Sequence, residues 1–161
     1  MSKSTVPAHR TEIHHRLKNI DIYYQNVRGL NTKLIEVLTS SISMEHDIFA
    51  FTETWLCSNV NDREIFDTNY FNVFRADRNF SETSRTRGEG VLIATRKNLN
   101  AVQIDICTIN DDFCKLKNFD ILIMKCGDTV GFVFYLILVY LPPKCHLDEY
   151  LLFFNCLMAL N

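Results

Sequence analysis

Short apolar runs that end on polar residues recur along the chain, and the first two predict neighbouring strands of one sheet. Ile20–Asn26 alternates apolar and polar side chains, which indicates a half-buried strand. Asp47–Thr52 is almost wholly apolar and is followed by Glu53, which indicates a buried strand that leaves its sheet at a carboxylate. A helical pattern lies between the two runs, so we expect parallel strands that present Asn26 and Glu53 at one edge. A carboxylate and an amide at one edge are the beginning of a site for a hard cation and a phosphate.

The rest of the chain alternates between predicted helices and strands. Asn31-Thr32 is expected to cap the first helix, and Asn61–Phe66 is expected to form a short helical turn. Asp77–Glu89 is rich in Ser, Thr, Asn and Arg and is predicted to be a loop. Later strands are predicted at Phe71–Arg75, Gly90–Arg96, Ala101–Ile106, Asp120–Cys126 and Val130–Tyr140. Together these elements predict an α+β fold built in layers.

The last third of the chain is predicted to form a hairpin followed by a helix. Gly127-Asp128-Thr129 is a short turn that would join the last two strands as a hairpin. Val130–Leu141 is apolar throughout and too short for a membrane helix, which needs about 20 residues, so a fully buried strand is expected. A helix is expected from His146, with an apolar face of Leu147, Tyr150, Leu151, Phe154, Leu157 and Met158. That face reaches Asn161 without a cap, so we expect the fold to be truncated at its C-terminus.

Composition supports a folded domain. The 161 residues are 47% hydrophobic and 12% aromatic, which suffices for a core and argues against disorder. The net charge is −2, which argues against a general polyanion binder, although residues 1–18 and 75–97 each carry an excess of about three positive charges. Such strips could contact phosphates, but a solvated surface is their more common role. We expect residues 1–18 to be a flexible basic leader and residues 19–161 to be one domain.

The cysteines and histidines show no metal-binding pattern. The six cysteines, at positions 57, 107, 114, 126, 145 and 156, have no CxxC spacing, and most lie in apolar runs. His9, His14 and His15 lie in the polar leader and are expected to be exposed. The leader lacks the apolar segment of a signal peptide, so we expect a cytoplasmic or nuclear protein with reduced thiols.

Four short motifs occur in an order that resembles the endonuclease/exonuclease/phosphatase superfamily. They are QNVRGL at 25–30, TETWL at 52–56, RGEGVLIA at 87–94 and VYLPP at 139–143. The combination is most similar to the N-terminal part of the apurinic/apyrimidinic-type endonuclease domain of insect-like non-LTR retrotransposons. The resemblance implies a two-sheet β-sandwich flanked by helices, with the active site at one end of the sandwich.

The resemblance also implies roles for individual residues. Glu53 would be the ligand of Mg²⁺, or of Mn²⁺ in its place; Asn26 would support the metal or the phosphate; and Tyr140 would lie near the scissile phosphate. From the residues alone, Glu53 could equally be a surface carboxylate, Asn26 a turn residue and Tyr140 a core aromatic. Glu89 stands where the family usually has a glycine, so it is expected to strain its turn if positive φ is required there.

The implied reaction is Mg²⁺-dependent hydrolysis of a phosphodiester in DNA, and a downstream reverse transcriptase would belong to the intact element. The family takes its catalytic Asp and Asn from a GDFN-like strand and its His from an SDH-like segment, and neither motif occurs in this sequence. General acid–base help contributes about 10²–10⁴-fold, so we expect this chain to be inactive, or nearly so, alone. The alternatives are a phosphatase or sphingomyelinase-like enzyme of the same superfamily, and a non-enzymatic remnant or binding module.

Overall fold

Two β-sheets and three α-helices give the chain an α+β fold. The computed structural model describes residues 19–77, 89–109, 111–116, 118–127, 131–143 and 145–158. The predicted leader, most of the predicted loop Asp77–Glu89 and part of the predicted turn at Gly127-Asp128-Thr129 lie outside these residues. None of the described helices is long and apolar enough to cross a membrane.

The first sheet has four strands in the order β1-β2-β4-β3. These are β1 (Ile22–Asn26), β2 (Ile48–Thr52), β3 (Phe71–Ala76) and β4 (Val91–Arg96). Helix α1 (Leu34–Ser43) returns the chain between the first two strands, so β1 and β2 are parallel neighbours, as the strand–helix–strand order predicts. The other two pairs are antiparallel.

The second sheet has three antiparallel strands in the order β5-β6-β7. They are β5 (Val102–Ile104), β6 (Asp120–Gly127) and β7 (Val133–Tyr140), and the predicted hairpin is the pair β6–β7. The remaining helices are α2 (Ile106–Ile109) and α3 (Leu147–Met158), with short 3-10 helices at Asp62–Glu64, Lys97–Leu99 and Asp111–Lys115. The helical turn expected at Asn61–Phe66 is thus a 3-10 helix.

Alternating side chains place one face of each sheet in a shared core. The first sheet supplies Ile48, Ala50, Val91 and Ile93, and the second supplies Leu122, Met124, Cys126 and Leu138. On the outer face of the first sheet, Phe49 and Phe51 pack with Phe66 and Phe71, and α1 lies against them. Phe51 is only 1% exposed, and its truncation to Ala would cost about 3–5 kcal/mol. This packing fixes β2, and therefore the point at which Glu53 leaves the sheet.

Two predictions about burial are wrong because an apolar run does not reveal which of its faces is covered. Val130–Leu141 was expected to be fully buried, but β7 is an edge strand whose Val133, Tyr135 and Ile137 are exposed. Helix α3 forms at the expected position, yet it buries Phe153 and Cys156 against the second sheet. Four of the six residues of the predicted apolar face are instead exposed: Leu147, Leu151, Phe154 and Met158.

Three local expectations are also corrected. The N-cap of α1 is Lys33, whose ammonium has no acceptor for a capping bond, and Asn31 instead donates to the Trp55 carbonyl at 3.4 Å. The strand expected at Ala101–Ile106 is shorter, since the chain turns into α2 at its end. Cys107 is disulfide-bonded, so the expectation of reduced thiols is wrong there; cysteine spacing does not report which thiols the fold brings together.

Candidate active site

The three residues that the sequence singled out meet at one edge of the sandwich. Asn26 is the last residue of β1, Glu53 follows β2 directly, and Tyr140 is the last residue of β7. Because β1 and β2 are parallel and Asn26 pairs with Thr52, both strands deliver their polar residues to the same edge. The second sheet brings Tyr140 to that edge from the opposite layer.

A hydrogen bond joins Asn26 to Glu53, and Tyr140 lies beside the pair. Asn26 Nδ2 donates to Glu53 Oε1 at 2.9 Å, and Asn26 Oδ1 accepts from the Arg28 backbone N–H at 3.3 Å. The amide of Asn26 is therefore oriented by the following turn, and it orients one oxygen of Glu53. Tyr140 lies near the same carboxylate: burial and then the charge of Glu53 raise the pKa of the Tyr140 hydroxyl, so groups from both sheets border Glu53.

The environment of Tyr140 favours its protonated form. Partial burial raises the pKa of Tyr140, and the charge and hydrogen bond of Glu53 raise the pKa further. The negative charges of Glu89 and Asp120 act in the same direction. At neutral pH Tyr140 is therefore a hydrogen-bond donor at an edge where several carboxylates converge.

Backbone hydrogen bonds hold the residues on both sides of Glu53. On one side, the Gly29 and Leu30 N–H groups donate to the carbonyls of Glu53 and Thr54, each at 2.8 Å. On the other side, the Thr54 and Trp55 N–H groups donate to the carbonyls of Gly90 and Glu89, each at 3.1 Å. The strand that ends at Thr52 is thus continued as a clamped segment, residues 53–55, between two turns.

Backbone conformations of high energy are concentrated at this edge. Of the five non-glycine residues with positive φ among those described, four lie here: Arg28, Glu53, Trp55 and Glu89. Each such residue costs about 1–3 kcal/mol and persists only where its surroundings impose it, which is common at functional sites. Glu89 has φ +73°, so the strain expected at this glycine-like position is confirmed.

Two glycines let the turns approach the clamped segment closely. Gly29 has φ +97°, and a Cβ there would lie 2.7 Å from Cε3 of the Trp55 ring. Gly90 has φ +89°, and a Cβ there would lie 2.5 Å from Thr54 Oγ1. Both positions therefore need glycine for two reasons, the left-handed backbone and the lack of space.

Asp120 is a residue of the site that the sequence reasoning missed. It is the first residue of β6 and pairs with Tyr140 in β7, and its Oδ2 accepts from the Gly90 N–H at 2.7 Å. A signal was present in the sequence: Asp120 begins one strand of the predicted hairpin and Tyr140 ends the other, so the two residues pair at its open end.

The donor set of this edge fits a hard cation that keeps most of its water. Among residues 19–77, 89–109 and the later described segments, no three or more His, Cys, Asp and Glu side chains are grouped to hold a metal. Mg²⁺, however, takes oxygen donors and is commonly held by only one or two carboxylates. Glu53 supplies such a carboxylate, already oriented by Asn26, and the donors around it carry oxygen rather than sulfur.

Two of the basic residues between 75 and 97 support the structure instead of facing a ligand. The Arg75 guanidinium donates to the carbonyls of Cys57 and Val60 and pairs with Asp62 and Asp77, which ties down the loop after the site. Arg96 donates to backbone carbonyls at the opposite end of the sheet. Arg28, in contrast, is exposed and follows Asn26 by two residues.

No protein-family model matches this chain, and no curated protein matches it.

Proposed function

We propose that this chain carries the metal-binding part of a Mg²⁺-dependent phosphodiesterase site of the endonuclease/exonuclease/phosphatase type, with DNA as the substrate. The observation that carries the proposal is the hydrogen-bonded pair of Asn26 and Glu53 from the first sheet, with Tyr140 of the second sheet beside it. These are the residues to which the resemblance of the sequence motifs gives roles. The retroelement endonuclease is the member of the superfamily that those motifs favour.

The negative charges at this edge of the sandwich favour the binding of a cation there. Glu53, Glu89 and Asp120 all act on Tyr140 as negative charges, so they would repel a phosphate that approached without a counter-ion. Glu53 and its partner Asn26 would hold Mg²⁺, which supplies Lewis-acid stabilisation of a phosphoryl oxygen when bound. Mn²⁺ would fit the same oxygen donors.

The remaining side chains would bind and orient the substrate. The protonated hydroxyl of Tyr140 can donate a hydrogen bond to a phosphate oxygen near the cation, and the exposed guanidinium of Arg28 can pair with a neighbouring phosphate. Both contacts are made to the backbone of DNA, so they give affinity without base readout. A DNA substrate agrees with the expected cytoplasmic or nuclear location.

A general base is the component that the sequence motifs do not supply. The sequence has no GDFN-like or SDH-like motif, and among the described residues no histidine is hydrogen-bonded to Glu53. We therefore expect the chain to bind Mg²⁺ but to nick DNA slowly or not at all, since general acid–base help is worth about 10²–10⁴-fold.

Incubation of a supercoiled plasmid with the chain and Mg²⁺ tests this proposal. We expect little nicking by the wild type and no difference from Glu53→Ala, while Mg²⁺ binding differs between the two proteins. Efficient nicking that disappears in Glu53→Ala would contradict the expectation of inactivity but support the site. Cleavage of inositol phosphates or sphingomyelin in place of DNA would favour the phosphatase or sphingomyelinase-like alternative.

A binding role without catalysis is the second candidate, and the outer surface of α3 favours it. Leu147 and Met158 are 68% and 67% exposed, and Leu151 and Phe154 are about half exposed. An exposed apolar stripe of this kind is typical of an interaction surface. Sedimentation velocity over a range of concentrations tests this candidate: a monomer that stays soluble and that binds neither DNA nor a protein partner would argue against it.

A further inference from the structure

Asp120 is connected to Glu53 through the backbone of another turn, although the two residues belong to different sheets. Its Oδ2 accepts the Gly90 N–H at 2.7 Å, which is short for a hydrogen bond to a backbone amide and typical of a charged acceptor. Gly90 in turn accepts from Thr54 N–H, the residue after Glu53. One carboxylate of the second sheet is therefore two hydrogen bonds from the segment that presents Glu53.

The turn that Asp120 holds has a strained backbone. Glu89 has φ +73° and Gly90 has φ +89°. Positive φ is unfavourable for Glu89 because it has a side chain. This turn supplies the carbonyls that fix Thr54 and Trp55, and Glu53 and Trp55 themselves have φ +54°. A strained turn therefore supports a strained segment, and a fixed acceptor for the Gly90 N–H limits how far the turn can relax.

We propose that Asp120 is a positioning residue of the candidate site: from the second sheet it holds the Glu89–Gly90 turn and so fixes the backbone that presents the Glu53 carboxylate. This inference rests on the proposed function for its consequence, the affinity for a divalent cation. Its structural part, the restraint of the turn, can be measured independently of any cation. Partners of this kind, which orient a ligand without touching the metal, typically contribute about 10–100-fold to metal affinity.

Four variants separate the acceptor from the charge. Asp120→Ala removes both, whereas Asp120→Asn removes the charge but keeps an oxygen that can accept from Gly90 N–H. Asp120→Glu keeps the charge but moves the acceptor by one methylene. Glu45→Gln is the matched control for charge, because it neutralises an exposed carboxylate that lies outside the site.

Affinity for Mn²⁺ and amide hydrogen exchange give the two readouts. Titration of Mn²⁺, followed by the electron paramagnetic resonance signal of the free ion, should show affinity reduced about tenfold or more in Asp120→Ala and Asp120→Glu. Asp120→Asn should lose less affinity than these two variants, and Glu45→Gln should stay close to the wild type. Exchange at the Gly90, Thr54 and Trp55 amides should be faster in Asp120→Ala than in the wild type and should return towards the wild-type rate in Asp120→Asn.

The outcomes distinguish this proposal from the proposed function. If Glu53→Ala leaves Mn²⁺ affinity unchanged, the proposed function fails, and the exchange rates alone decide the role of Asp120. If Glu53→Ala abolishes binding but Asp120→Ala does not weaken it, the positioning role is overturned. Equal losses in Asp120→Ala and Asp120→Asn would overturn it as well, because charge and not position would then be the cause. If Asp120→Ala does not fold, Asp120→Glu and Asp120→Asn make the same comparison.

Discussion

Asn26 and Glu53 leave two parallel, adjacent strands at the same edge, and Asn26 Nδ2 donates to Glu53 Oε1 at 2.9 Å. The bond orients the Glu53 carboxylate through one of its two oxygens. Parallel pairing is the cause of this arrangement, because an antiparallel partner would place its last residue at the far end of the sheet. Residues 27 positions apart in the sequence thus become one polar unit.

Replacement of Asn26 by Ala should weaken cation binding while the fold is retained. Without the amide, the Glu53 carboxylate loses the donor that orients it, and the loss of such a partner typically lowers metal affinity by about 10–100-fold. Isothermal titration with Mn²⁺ measures the change. Asn98→Ala is the matched control and should bind as the wild type does. Asn98 is an exposed residue of the 3-10 helix Lys97–Leu99. Unchanged affinity in Asn26→Ala would remove the proposed role of the amide.

Replacement of Glu89 by Gly should stabilise the chain. At φ +73° the side chain opposes the backbone conformation, and glycine removes this strain of about 1–2 kcal/mol per residue, less the entropy that glycine gains in the unfolded chain. Urea denaturation measures the free energy of unfolding. Glu89→Ala is the control, because it removes the charge but keeps the strain. A gain of equal size in both variants would show that charge, not the backbone, is responsible.

Replacement of Gly90 by Ala should destabilise the chain more than the same change at Gly131. Both glycines have φ near +90°, so both substitutions meet backbone strain. At Gly90 the new Cβ would collide with Thr54 Oγ1, at 2.5 Å, whereas among the described residues, chain neighbours aside, none comes within 4 Å of a Cβ at Gly131. We expect a cost of about 1 kcal/mol at Gly131 and a clearly larger one at Gly90, measured by thermal unfolding. Equal costs would mean that the turn can move away from Thr54.

Tyr140 should contribute a loss of stability at alkaline pH. Burial and then the Glu53 carboxylate raise the pKa of Tyr140 in the folded chain, whereas an unfolded tyrosine titrates near about pH 10. The folded state therefore holds the Tyr140 proton more tightly than the unfolded chain does. The resulting stabilisation is complete below the pKa of the unfolded tyrosine and is lost as pH rises through the folded-state pKa. Above about pH 10, the free energy of unfolding measured with urea should fall less steeply with pH in Tyr140→Phe than in the wild type. Tyr70→Phe, at a largely exposed residue, should leave the slope unchanged.

The sequence predicted most of the strands and helices because their patterns have clear periods or sharp ends. β2 is bounded by Asp47 and Glu53, and the helix between β1 and β2 required those strands to be parallel. It could not predict the covered faces of β7 and α3, since Val133 and Leu147 are as apolar as their buried neighbours. Burial there depends on what packs against the element, which no local pattern contains.

The site was predicted to the same extent and for a similar reason. Asn26 and Glu53 were expected at one edge because their strands were predicted to be parallel, whereas Tyr140 was placed near the scissile phosphate only by the resemblance of the motifs. Asp120 was missed because its role depends on the close approach of Gly90 from the other sheet, a contact between residues 30 positions apart. Contacts between layers become visible only when the sheets are stacked.

Binding of Mg²⁺ is the most direct test of the central claim, that Glu53 is the carboxylate of a divalent-cation site. Isothermal titration of the wild type, of Glu53→Gln and of Glu45→Gln as an exposed control measures it without reference to catalysis. We predict that the wild type and Glu45→Gln bind one ion alike, and that Glu53→Gln binds it at least about tenfold more weakly. Equal affinity in all three proteins, or no saturable binding by the wild type, would contradict the account.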